Sequence, residues 1–167
     1  LGPSLRTRGN NLKIHKEGNM NNQVEQILKA MVKKNPQIKS AAVVNSEGIL
    51  IASHLFPGTN ESSFGAMAAA LLGLGEHALQ EIKGGKLREV YVRGDDMMLV
   101  IVGISNVGVI SITVDAEAPL GVILVEVRKT AELLEGIISK QQDITEILGS
   151  DLSLLEGFSF KDILGEE

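Results

Sequence analysis

From Asn22 onward the apolar residues follow two alternating rhythms. Val24, Ile27, Leu28 and Met31 recur at helical spacing, with Asn21 or Asn22 able to cap the start. The helix should stop at Asn35-Pro36, because a residue before proline is pushed out of the α region. Ile38–Val44 and Ile49–Ser53 then read as strands. The intervening Asn45-Ser46-Glu47-Gly48 makes them a hairpin, with glycine at the position that needs a positive φ. A loop over Leu55–Asn60, punctuated by Pro57-Gly58, leads to a second helix capped by Ser62 or Ser63 and halted at Gly84-Gly85. Three further strands follow at Leu87–Arg93, Met97–Val102 and Val107–Val114, separated by Gly94-Asp95-Asp96 and Ile104-Ser105-Asn106. Pro119 opens a long last helix whose apolar face carries Leu120, Leu124, Val127, Ala131, Leu134 and Ile138. The order α-β-β-α-β-β-β-α, with short strand links, predicts an α/β (α+β) domain: a five-stranded antiparallel sheet with helices on its faces.

The second helix is the least ordinary segment. Its spacing places Met67, Leu71, Leu74, Ala78 and Ile82 on one face, the expected contact with the sheet. The opposite face carries Gly65, Ala69 and Gly73, with Leu72, Glu76 and Gln80 beside them. Three glycines in this helix (Gly65, Gly73, Gly75) cost on the order of 2–3 kcal/mol relative to alanine. A ridge of small residues at i, i+4, i+8 offsets that cost if another backbone lies against it. The expected occupant is a second copy of the chain, and the competing one is a loop or helix of the same chain.

Composition narrows the chemistry. With four Phe, one Tyr, no Trp and a net charge of −5, the chain is not a base-stacking or phosphate-backbone binder, and no nucleic-acid partner is expected. The absence of Cys excludes a disulfide framework and any thiolate site. No run has the length of a membrane span and the N-terminus has no apolar signal core, so a cytoplasmic protein without membrane insertion is expected. Charge is uneven. Residues 1–19 carry Arg6, Arg8, Lys13 and Lys16 against Glu17, whereas residues 143–167 carry seven acids against Lys161. The expected organisation is a basic, disordered leader over 1–19, a folded domain over 20–139 and an acidic amphipathic tail over 140–167. A basic arm gripping an acidic partner is the alternative for the leader.

Catalytic patterns are missing. Gly73-Leu74-Gly75 lies inside a helix and Gly84-Gly85-Lys86 precedes a strand, so neither is a phosphate-cradling loop. His15, His54 and His77 are too scattered to hold a metal, and His77 reads better as a polar interface residue. No serine sits in a nucleophile elbow, and Asp95-Asp96 is a turn. No enzyme activity, cofactor or metal is expected.

Several stretches carry a resemblance: Ile38-Lys39-Ser40-Ala41-Ala42-Val43-Val44, Glu47-Gly48-Ile49-Leu50-Ile51-Ala52-Ser53, Phe64-Gly65-Ala66-Met67-Ala68-Ala69-Ala70-Leu71-Leu72 and Val90-Tyr91-Val92-Arg93-Gly94. In this order they resemble the roadblock/dynein light chain family, especially its prokaryotic members, over the region from Asn22 to Ser139. The resemblance implies a longin-like fold and a homodimer built by the middle helix and the third strand, with the seam at Leu87–Arg93 and its Val90, Tyr91 and Val92. It also implies a non-catalytic scaffold or regulator that binds a small Ras-like GTPase through a platform containing the paired middle helices. Arg88, Arg93 and Arg128 are the residues that could be asked to act as arginine fingers. A sensory domain of PAS-like fold and a purely structural subunit of a larger complex are the alternatives. Outside the family pattern, Glu146-Ile147-Leu148-Gly149 recurs as Asp162-Ile163-Leu164-Gly165, with Phe158 and Phe160 between. The tail reads either as a docking motif that lays its apolar side in a partner's groove or as a segment folded back on its own domain.

Overall fold

Local chemistry fixes the first hairpin. Strand β1 (Ile38–Asn45) turns into β2 (Leu50–His54) through Gly48 at φ 84°, and the Asn45 side chain accepts from the backbone N–H groups of Glu47 and Ile49. The computed structural model describes residues 5–156 and places side chains for residues 18–143 and Glu146. The remaining elements are α1 (Leu5–Lys34), α2 (Glu61–Glu81), β3 (Glu89–Arg93), β4 (Met97–Ile104), β5 (Gly108–Asp115) and α3 (Leu120–Glu156). The element order is the expected one.

All strand pairs are antiparallel, in the order β2-β1-β5-β4-β3. β5 lies at the centre, between β1 and β4, and α2 is the crossover that carries the chain from one edge strand to the other. Both faces of the central strands are covered, so β5 is apolar on alternate sides. Ile110, Ile112 and Val114 face α1 and α3, in a core that includes Val24, Leu28, Met31, Val127, Ala131, Leu134 and Ile138. Val109, with Val44 and Ile101, faces α2 in a smaller cluster around Ala68.

Helix ends differ from the sequence expectation in instructive ways. The cap of α2 is Asn60 rather than Ser62 or Ser63; its carboxamide oxygen accepts from Ser63 N–H at 2.9 Å. At the other end, Lys83 takes φ 53°, its N–H reaches Gln80 O, and Gly84 N–H reaches Leu79 O, so the left-handed closing residue is a lysine one position before Gly84. α1 begins at Leu5, within the segment read as a leader, and α3 continues past Ser139 to Glu156. No proline or paired glycine stands at either point to stop a helix. Phe158, Phe160, Ile163 and Leu164 lie outside the described residues, as do the side chains of Ile147 and Leu148.

The face assignment of α2 is corrected by about a quarter turn. Phe64, Gly65 and Ala68 are buried, and Leu71 and Leu72 pack on the smaller core. Met67, Leu74 and Ile82, expected against the sheet, are 53%, 67% and 73% exposed. The reason is steric. Gly65, Ala68 and Gly75 let the helix backbone settle on the sheet, whereas the bulkier Met67 and Leu74 would hold it away.

Candidate functional site

The glycines expected to form one bare ridge do different work. A Cβ on Gly65 would stand 2.9 Å from Gly48 O, and a Cβ on Gly48 would stand 3.1 Å from Ala69 Cβ. Gly65 and Ala69 therefore seat α2 against the β1–β2 turn of their own chain, which is the competing same-chain contact. Gly75 similarly admits Leu87 and Val90, each 3.3 Å from where its Cβ would be. Gly73 is different: it is exposed, and among the described residues nothing lies within 4 Å of its missing side chain.

The face of α2 pointing away from the sheet thus consists of Ala66, Ala70, Gly73 and His77, at helical spacing, with Met67, Leu74 and Ala78 along one flank. All seven are exposed. His77 approaches Glu81 at 3.9 Å on the open surface. A low ridge bordered by two large apolar side chains is an unusual surface for a helix facing water.

The other flank of α2 takes the remaining expected residues. Leu72, Glu76 and Gln80 join Leu87 and Arg88, from the link into β3, in lining a cleft of about 970 Å³ that also includes the β4–β5 turn and Arg128. Val90 is half-buried beneath α2. Tyr91 and Val92 are 42% and 44% exposed on the edge strand.

Among the described residues β3 has only β4 as a neighbour, so its second row of backbone groups finds no strand partner there. Charged residues that could discourage pairing there are held by the chain itself. Glu89 accepts from Arg128 Nε at 2.7 Å, from a second nitrogen of the same guanidinium and from the Tyr91 hydroxyl. Arg93 meets Glu117 at 3.2 Å. Partial burial raises the Glu89 carboxyl, but the Tyr91 hydroxyl and the Arg128 and Arg88 guanidiniums outweigh it and hold it below its usual range. Burial, with the hydrogen bond to that carboxylate, pushes the Tyr91 phenol up to about 12. Of the three arginines singled out in the sequence, only Arg88 forms no ion pair among the described residues.

Sequence reasoning missed Ala66 and Ala70, and the exposure of Met67 and Leu74. Phe64 was the available signal: the one aromatic in the helix is buried, and its position sets the phase of the wheel. The Glu89–Arg128 pair, separated by 39 positions, left no local trace. Among the described residues there is no group of three or more His, Cys, Asp or Glu that could hold a metal, and no helix long and apolar enough to cross a membrane.

The fold has known counterparts. The Roadblock/LC7 domain of Streptomyces avermitilis superposes with a TM-score of 0.65 at 20% identity, covering 69% of this chain and 97% of that one. Myxococcus xanthus MglB superposes at 0.66 with 16% identity, over 72% and 91%. In sequence, the chain is 30% identical over 104 residues to the uncharacterized protein MJ1340 of Methanocaldococcus jannaschii, a match spanning 62% of this chain and 90% of the relative. Residues 24–113 match the Roadblock/LC7 domain, and the chain therefore belongs to that family.

Proposed function

We propose that the protein is a non-catalytic homodimer that serves as a docking platform and regulator for a small Ras-like GTPase. The observation that carries this reading is the outward face of α2, where the Ala66–Ala70–Gly73 ridge is bordered by exposed Met67 and Leu74. Two such ridges packed around a twofold axis bury each other's apolar flanks, and small residues let the backbones approach closely. The same axis brings two β3 edges together, so that the two sheets continue into one another through Val90, Tyr91 and Val92. Small-GTPase regulation is what the roadblock resemblance implies, and the paired α2 helices are the platform it implies. Arg88 is the arginine left available to a docked partner.

The purified full chain should sediment as a dimer at micromolar concentration. It should also retain a Ras-like GTPase from the same organism with an affinity that differs between the GDP-loaded and GTP-loaded forms. A monomer across that range removes the dimer. A dimer that retains neither form leaves only a structural subunit and overturns the regulatory part of the reading.

A further inference from the structure

The backbone of β3 alternates between its two edges. Gly103 N–H donates to Arg88 O at 3.2 Å and Gly94 N–H donates to Met97 O at 2.8 Å, so Arg88 and Gly94 turn their backbone groups to β4. In an antiparallel ladder that orientation switches at every residue. Glu89, Tyr91 and Arg93 therefore present their N–H and C=O groups to the edge away from β4. A second copy of β3 meets all three at once in a single antiparallel register, the one with Tyr91 facing Tyr91 across the twofold axis. Glu89 then faces Arg93, Val90 faces Val92, and each facing pair of outward residues exchanges two backbone hydrogen bonds.

The charges select the same register. Within the chain Glu89 accepts from Arg128 at 2.7 Å, and Arg93 meets Glu117 at 3.2 Å. Facing Glu89 with Arg93 of the second copy joins these pairs across the seam into a row of alternating sign, Arg128–Glu89–Arg93–Glu117. Beyond the ends of β3, the same register lays Lys86 and Arg88 of one copy alongside the Gly94-Asp95-Asp96 turn of the other. Lys86, Arg88, Asp95 and Asp96 are exposed and form no ion pair among the described residues. Sliding the strands by two residues loses the match. In one direction Glu89 comes to face Asp95, a like charge; in the other, Arg93 comes to face Leu87.

We propose that β3 is a self-recognition strand. Two copies of this chain join in the register centred on Tyr91, and the Lys86 and Arg88 contacts with Asp95 and Asp96 at both ends of the seam select its own copy over other chains of the same fold. Such recognition rests on the homodimer proposed above and adds where its two β3 edges meet. A related chain without these charges offers the backbone hydrogen bonds but not the match. The end contacts lie at the surface, so salt weakens them.

The chain has no cysteine, so single substitutions report the register directly. In the full-length protein, Tyr91→Cys places two thiols on the axis with Cα atoms about 5.5 Å apart, within disulfide range. Val90→Cys or Val92→Cys leaves the thiols diagonal and too distant. Tyr91→Cys should therefore form a disulfide-linked dimer at least about tenfold faster than either; faster linkage at 90 or 92 would overturn the register. Lys86→Glu and Asp96→Lys should each weaken self-association about tenfold at low salt, and an equimolar mixture of the two should restore it as a heterodimer. A mixture that associates no better than its components overturns the charge match. A native chain that dimerises while none of the three cysteines links overturns the β3 seam and leaves the α2 contact standing, whereas a monomeric native chain overturns the homodimer and the seam with it.

Discussion

Replacing Gly73 by leucine separates two effects of opposite sign. Within one chain the substitution is favourable, because Gly73 is exposed and among the described residues nothing lies within 4 Å of the side chain it lacks. Removing glycine from a helix interior should then stabilise the isolated subunit by about 0.8 kcal/mol. Between two chains the sign reverses. Gly73 sits on the ridge proposed to meet its own copy, and forcing a side chain into a close-packed contact costs about 1–3 kcal/mol. Twofold symmetry places the leucine on both sides, so the dimer loses about 2–6 kcal/mol, weakening self-association by roughly 30-fold to more than 10,000-fold. Sedimentation equilibrium reads the dissociation constant, and urea denaturation below that constant reads the subunit. The expected result is a weaker dimer made from a slightly more stable monomer. A dissociation constant that does not move would show that the ridge does not meet a second copy, and a monomer that loses stability at high dilution would show that the space outside Gly73 is not open.

The other predictions concern the fold beneath this surface. Gly108→Ala should destabilise the chain by at least about 3 kcal/mol in chemical denaturation, since φ 151° is unfavourable for alanine and its Cβ would overlap the Val44 carbonyl and lie 2.7 Å from Asn45 Cα; a loss under about 1 kcal/mol would mean that β1 and β5 separate easily. Lys83→Gly should raise stability by about 0.5–1 kcal/mol by relieving the left-handed residue that closes α2, and an unchanged urea midpoint would contradict that closure. Tyr91 is the only tyrosine, so ultraviolet absorbance reads it alone; it should ionise near 12, and ionisation near 10 would show that the hydroxyl is not held by Glu89. Because the folded phenol titrates above the unfolded one, its contribution to stability is complete below about pH 10 and is lost as pH rises towards 12, a loss that Tyr91→Phe should remove. Glu89 acts at the acid end with the opposite sign: its folded carboxyl is depressed, so its contribution is present above the unfolded pKa and lost as pH falls through the lower, folded one.

What the sequence determined by itself was local. The Asn45–Gly48 turn, the break at Asn35-Pro36 and the alternation of strands and helices each depend on residues within a few positions of one another. The stripe from Leu124 to Ile138 was equally legible, because its apolar residues recur at helical spacing, even though Val125 and Leu133 stay exposed beside it. Tertiary structure alone decided the strand order, since β1 meets β5 across a gap in sequence that no short-range pattern records. It also decided the phase of α2. That helix has apolar or small residues nearly all round, so periodicity could not tell the side that packs on the sheet from the side left for a partner. Close approach at Gly65, Gly75 and Ala68 resolved the ambiguity, turning the ridge from Gly65–Ala69–Gly73 to Ala66–Ala70–Gly73. The physical reason is common to both cases. Hydrogen bonding and φ preferences act along the chain, whereas contact distance between distant segments is fixed only when the whole fold closes.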